Sequence, residues 1–460
     1  MGHPEEAGVA EPLLAIPEDN VVVHRSSDRS VVGFLYFLFF LEGIGSLFPW
    51  NAFITVTSYF DDVLAGTNYA SSYENYFSFS FQGASIIFIL LAMRYKQRIN
   101  VHTRILAPLV IEVIVFSSVT VISKIPGLST NAFMSITIGQ TVAAGAAGAF
   151  LQSGLFGLAG VMPEAYVHAL MNGQALGGVI VAGLNLVSLG VSGTSQPREA
   201  AFLFFILSVV VLLCCFVGYV LLMRHPLVIS NLEKADAARI ASTQASPRKN
   251  PDMSSSVNQT KRDRKSLKRY RSYLHSEDGA ILSPFRKAWL PCVMVFCVFW
   301  ITLSIFPAIS ASVSSTSPYE EWRSWFVPVC VFFLFNFGDL IGRLLTWWKP
   351  WPETANYRKL PIPVLARVLF VPLFALCNVA NADYVLFKND AFPALFMLAV
   401  GISNGYLGTM CMMIAPSLVP PGDAESVGQF SVLLLNLGLL SGSLTGFGLK
   451  AAICKCNPFK

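Results

Sequence analysis

Apolar residues along the chain gather into long runs separated by short polar stretches, and run length carries the first inference. A helix needs about 20 residues to cross the hydrocarbon core of a bilayer. On that ruler the pattern predicts eleven spans, at 31 to 57, 74 to 93, 104 to 123, 132 to 161, 167 to 192, 200 to 223, 288 to 311, 324 to 348, 362 to 381, 391 to 415 and 425 to 450. The expected fold is an all-α polytopic membrane protein with its helices in a 6+5 arrangement, the two groups being 31–223 and 288–452. Such a split suggests two bundles that rock about a central site.

Polar residues inside the runs are the exceptions that matter. In the eighth span the stretch Asn336 to Arg343 reads NFGDLIGR. Helical spacing puts Asn336, Asp339 and Arg343 on one face, together with Phe332 and Trp347. A charge at bilayer depth costs about 2.5 to 3.5 kcal/mol even on the lenient insertion scale, so this stripe should line an interior or a watery cavity. In the first span, GIGSLFPWNAFIT at 43 to 55 sets Trp50 and Asn51 beside a kink expected at Pro49. Gln152 brings an amide, which both donates and accepts, into apolar surroundings of the fourth span.

The polar connections give domain limits and orientation. Residues 1–30 read as a short cytoplasmic tail without the apolar run of a cleavable signal, and 453–460 as a short extracytoplasmic one. Between spans six and seven, 224–287 holds 14 Lys or Arg against 6 Asp or Glu, so its charge exceeds the +5 of the whole chain. Such a Ser-rich basic run reads as a disordered cytoplasmic loop, near anionic lipid and open to kinases, and not as a nucleic-acid site. With the N-terminus in the cytoplasm, 24 of the 32 basic residues fall on the cytoplasmic side, as the positive-inside rule requires. That count leaves Arg343 as the one base deep in a span and places Arg104 and Arg367 with the cytoplasmic connections. The sequon at Asn258 then faces the cytoplasm and goes unused.

Hydrophobic residues make up 54% and charged residues 13% of the 460, with a mean hydropathy of +0.58, which excludes a soluble globular domain. The nine cysteines show no disulfide framework, and the six histidines sit in tails, loops or span ends without a partner at ligand spacing. Neither a metal site nor a cofactor is expected. The spans also lack a Ser/His/Asp set or paired carboxylates, so a membrane-embedded enzyme or a receptor is the remote alternative to a carrier.

Several longer motifs occur in order: LFPWN at 47 to 51, RILAPL at 104 to 109, LQSGLFGLAG at 151 to 160, MNGQALGG at 171 to 178, FPA at 306 to 308, NFGDLIGR at 336 to 343, ARVLFVPL at 366 to 373 and SNGYLGTM at 403 to 410. With these motifs the chain resembles the equilibrative nucleoside transporters, the solute carrier family 29 type, from first span to last. The resemblance implies a major-facilitator-like fold that works as a monomer. It would carry purine and pyrimidine nucleosides such as adenosine and uridine, and in some members nucleobases, down their gradients by alternating access. It implies functional positions at Leu47, Trp50, Asn51, Gly148, Gln152, Gly173, Phe306, Pro307, Phe332, Asn336, Asp339, Arg343 and Leu439. In that reading Gln152 meets the base edge, and Asp339 with Arg343 holds the ribose hydroxyls. Leu47, Ile54, Phe332 and Leu439 wall the base, and Gly148 and Gly173 serve helix packing. The plasma membrane is the family's commonest location, with vacuolar or lysosomal membranes the alternative.

The chain departs from that pattern at Glu42 in the first span, where relatives commonly carry an apolar residue. Glu112 lies inside the third span. A buried carboxyl at either place would allow proton-coupled symport in place of facilitated diffusion. Position 174 is Gln where an organic-cation-carrying branch has Glu, which argues against cationic amines as the main cargo.

Overall fold

The computed structural model describes residues 28–69, 73–95, 98–125, 127–192, 197–245, 285–379 and 384–454. The centre of the basic loop with Asn258, most of the N-terminal tail and the last six residues lie outside these. The helices are α1 (Asp28–Thr55), α2 (Thr57–Leu64), α3 (Tyr73–Arg94), α4 (Val101–Ser123), α5 (Thr130–Gly160), α6 (Glu164–Ser192), α7 (Pro197–Met223) and α8 (Pro226–Ala245). After the basic loop come α9 (285–305), α10 (Glu320–Phe326), α11 (Leu334–Trp348), α12 (Pro361–Ala366), α13 (Phe370–Ala375), α14 (Ala391–Ser417) and α15 (Pro421–Cys454). A π-helical stretch, Val327–Phe333, joins α10 to α11 into one span. Among the described residues ten helices are long and apolar enough to cross a membrane, and each falls on one of the expected runs.

Local chemistry sets several boundaries. Asn100 caps α4 by accepting from the His102 amide, and Ser129 caps α5 by accepting from that of Ala132. The expected ninth span, 362 to 381, is instead the shorter pair α12 and α13, joined by a 3-10 turn at Arg367–Leu369. Pro361, Pro363 and Pro372 each remove a backbone donor there. Beyond Ala375 the chain leaves the helix and makes isolated bridges, Cys377 with Phe387 and Val313 with Val379. The predicted disordered loop also needs correction at its start, since Pro226–Ala245 forms the helix α8. Its side chains alternate too irregularly between polar and apolar to announce that helix.

Each group of helices has an aromatic and aliphatic core of its own, and a larger apolar cluster, with Phe39, Leu170, Val295 and Met410, spans both. Phe48, Phe53, Phe60, Phe116 and Phe205 pack together in the first group, and Ile305, Phe326, Phe374 and Met397 in the second. Ile87, Ile114, Val121, Leu203 and Val217 are exposed, as residues facing lipid should be. Close helix crossings depend on small residues. A Cβ on Gly173 of α6 would meet the Phe40 carbonyl oxygen of α1, and one on Gly405 of α14 would meet that of Asp339 in α11. Gly148 differs, because a Cβ there would be in ordinary contact, 3.5 Å from a Glu112 carboxylate oxygen.

Gly173→Ala should therefore push α6 off α1 and cost about 1 to 3 kcal/mol. Thermal unfolding of the purified protein in detergent should register this as a lowered Tm. Gly139→Ala, which meets nothing within 4 Å, should leave Tm unchanged.

Candidate functional site

Between the two helix groups lies a cavity of about 220 Å³. From the first group, Leu47, Trp50, Asn51 and Ile54 of α1 and Gln152 of α5 reach it. From the second come Phe306, Phe332, Asn336, Asp339, Arg343 and Leu439. The end of α1 that follows Pro49 and the stripe on α11 thus share one space. Pro307 does not line this space and is exposed, because the chain turns away after Phe306. Trp347 lies beyond the cavity, where its ring packs 5.3 Å from His168 and 6.1 Å from Tyr36. Phe332, near the end of the π-helical turn, and Phe335, three residues on, both face the cavity.

Asp339 is the hub of the charged wall. One carboxylate oxygen accepts from Arg343 Nε at 2.8 Å, and the other from Asn404 Nδ2 at 2.7 Å. The Asn404 amide oxygen accepts from the Thr302 hydroxyl at 2.8 Å, and that hydroxyl accepts from Arg367 Nη2 at 2.7 Å. Arg367 also donates to the Val298 carbonyl and to Ser403. Arg343 is therefore not the one deeply placed base. Arg367 is 2% exposed, and its guanidinium turns into the helix group, whereas charge counting had assigned it to a connection. Arg104 was assigned the same way and is 4% exposed, paired with Glu425 at 2.7 Å.

Beside the apolar packing between the groups, polar contacts tie them together at three places among the described residues. Arg104 of α4 meets Glu425 of α15, and Asn436 Nδ2 of α15 donates to Gln152 Oε1 at 3.1 Å. Arg343 Nη1 donates to the Met171 carbonyl at 2.7 Å, while His168 Nε2 lies 3.1 Å from the Arg343 carbonyl. That carbonyl can only accept, so Nε2 carries the proton and Nδ1 is left to accept from Tyr36 or Asn172. Arg104 and Glu425 lie in the opening turns of α4 and α15, His168 and Met171 in those of α6, and Arg343 near the end of α11. By alternation of the spans, all these ends lie on the membrane face from which α1 starts. The cavity is closed toward that face.

Glu42 and Glu112 stand apart from the cavity. Both are fully buried, and neither carboxyl has a hydrogen-bond partner among the described residues. Glu42 sits beside the close approach of α7 at Gly218, and Glu112 beside Gly148. Further lining residues that sequence reasoning did not single out are Ser78, Gln82, Thr302, Phe335, Asn404 and Ser443. Asn404 lies within SNGYLGTM, an amide in an apolar span, and the argument used for Gln152 would have found it. Gln82 carried the same signal.

The two helix groups around one cavity have the major-facilitator fold. The proton:xylose symporter XylE bound to 6-bromo-6-deoxy-D-glucose superposes with a TM-score of 0.59 at 10% identity, covering 92% of this chain and 88% of that one. The human organic anion transporter MFSD10 superposes at 0.53 with 12% identity, covering 93% and 98%. The family described as nucleoside transporter matches residues 138–451. Human equilibrative nucleoside transporter 2 is 32% identical over 442 residues, 90% of this chain and 96% of its own length. Rat equilibrative nucleoside transporter 3 is 32% identical over 455 residues, 94% and 92% respectively. The chain belongs to the nucleoside transporter family.

Arg343→Lys keeps a positive charge but cannot reach both the Asp339 carboxylate and the Met171 carbonyl with a planar fork. Uptake should fall at least about tenfold at equal surface delivery. Arg343→Ala is less informative, because leaving Asp339 without its guanidinium should also destabilise the fold by about 3 to 5 kcal/mol.

Proposed function

We propose that the protein carries nucleosides across the membrane by facilitated diffusion, with the cavity opening alternately to either side. The observation that carries this reading is the pairing, in one cavity between the helix groups, of a buried Asp339–Arg343 wall with aromatic and aliphatic surfaces. A carboxylate accepts from two hydroxyls and a guanidinium donates to them, which suits a ribose. Trp50, Phe306, Phe332 and Leu439 offer apolar faces to a base. The contacts between the groups supply the gate. To open toward the α1 face, the Arg104–Glu425 pair and the Arg343–Met171 and Gln152–Asn436 bonds must break. Apolar contacts between the groups, among them Trp347 against His168 and Tyr36, must part along with these bonds. Charge along the chain supports a cytoplasmic N-terminus and an extracytoplasmic C-terminus. The proposed location is the plasma membrane.

Purified protein in liposomes preloaded with unlabelled uridine should accumulate labelled uridine transiently without any ion gradient. Adenosine outside should abolish that counterflow. Absence of counterflow for every nucleoside tried would overturn the reading.

A second reading, proton-coupled uptake, is favoured by one observation: Glu42 and Glu112 are buried in the first helix group without partners. A lone charge in such surroundings is expensive, so each is suited to carry a proton through the cycle. Facilitated diffusion predicts that initial uptake changes little between about pH 5 and pH 8, with the same profile in Glu42→Gln. A steep rise toward acid that Glu42→Gln removes would decide for coupling.

A further inference from the structure

Amide side chains line the cavity on several helices, and most are already engaged by the protein. Asn336 Nδ2 donates to the Phe332 carbonyl, and Asn404 is bonded through both ends. Gln152 gives its amide oxygen to Asn436, and Gln174 Nε2 donates to Ser46. Two amides differ. Asn51 Nδ2 and Gln82 Oε1 are buried and have no hydrogen-bond partner among the described residues. Gln82 is 7% exposed and lines the cavity together with Ser78, one helical turn earlier. The two helices meet at the neighbouring residues, where the Trp50 and Phe81 rings lie 4.8 Å apart. A buried donor and a buried acceptor are thus left free on the first helix group, in the cavity that Asp339 and Arg343 line from the second.

Native proteins rarely leave buried amide atoms without a partner, and in a binding cavity the missing partner is commonly the ligand. We propose that Asn51 and Gln82 form a base-reading subsite that selects nucleosides with a lactam edge, an N–H beside a C=O. This rests on the nucleoside reading above. Asn51 Nδ2 donates to the ring carbonyl, and Gln82 Oε1 accepts from the adjacent ring N–H. Uracil and 6-oxopurines present that order. Cytosine and adenine present the reverse, an amino group beside a bare ring nitrogen, which would set donor against donor and acceptor against acceptor. The ribose wall on α11 and the lactam subsite on α1 and α3 would then hold opposite ends of one substrate. Moving the groups apart would break both sets of bonds and release it.

The test is a set of uptake rates in proteoliposomes for two matched pairs, uridine with cytidine and inosine with adenosine. Rates are compared as kcat/KM in the unmutated protein, Gln82→Met and Asn51→Asp. The unmutated protein should favour the lactam member of each pair by about tenfold, the worth of one mismatched buried hydrogen bond. Gln82→Met, of similar volume, should lower both ratios by raising KM for the lactam members, leaving only the part that the Asn51 donor contributes. Asn51→Asp replaces the donor by an acceptor, so each member of a pair then keeps one match and one clash; both ratios should fall to about one, with KM lowered for the amino members, a gain that mere loosening of the helix would not give. Ratios at or below one in the unmutated protein overturn the subsite, and so do ratios unchanged in Gln82→Met. The first criterion holds even if neither variant folds. If no nucleoside is transported at all, the transport reading itself fails, which is a different outcome from transport without discrimination.

Discussion

One carboxylate, Asp339, answers two buried guanidiniums, and the second helix group is arranged around it. Arg343 meets it directly, and Arg367 meets it through Thr302 and Asn404. A lone buried charge is costly in any low-dielectric interior, and more so where neighbouring helices face lipid. The chain of bonds distributes that cost over α9, α11, α13's approach and α14. It also explains the glycines where α11 crosses α14, since the helices must lie close for Asn404 to reach Asp339.

The same charge chain reaches the other half of the molecule. Arg343 extends past Asp339 to a backbone carbonyl of α6, so a residue of the cavity wall is also part of the closure. A substrate hydroxyl that draws on Asp339 or Arg343 competes with that contact. In the proposed transport cycle this would couple binding and gate opening through a single side chain, without a relay through the protein. Arg104 and Glu425 form a second closure farther from the cavity, where solvent can screen them once the gap widens.

Much of this was legible in the sequence, and the exceptions have physical causes. Apolar runs gave the spans because bilayer thickness fixes helix length, and the ninth, expected at 362 to 381, is shorter and broken where prolines and a turned-in Arg367 interrupt a run of the right composition. The stripe on α11 announced the cavity because charge inside a span admits few explanations. Arg104 and Arg367 were missed because each stands near a run boundary, where a base is ordinarily solvated. Counting charges cannot distinguish one that turns inward. Pro307 shows the opposite limit: adjacency to Phe306 in a motif does not give adjacency in the cavity. Gln82 and Asn404 were in view as polar residues in apolar spans, but only the hydrogen-bond pattern separates an engaged amide from a free one.

The central claim is that the Asp339 carboxylate serves the buried guanidinium and the sugar of the substrate together. The most direct measurement compares counterflow of uridine with that of 2′,3′-dideoxyuridine in proteoliposomes, for the unmutated protein and Asp339→Asn. The account predicts a preference for uridine of about tenfold or more that largely disappears in Asp339→Asn. Equal transport of the two by the unmutated protein, or a preference that survives in Asp339→Asn, would contradict it.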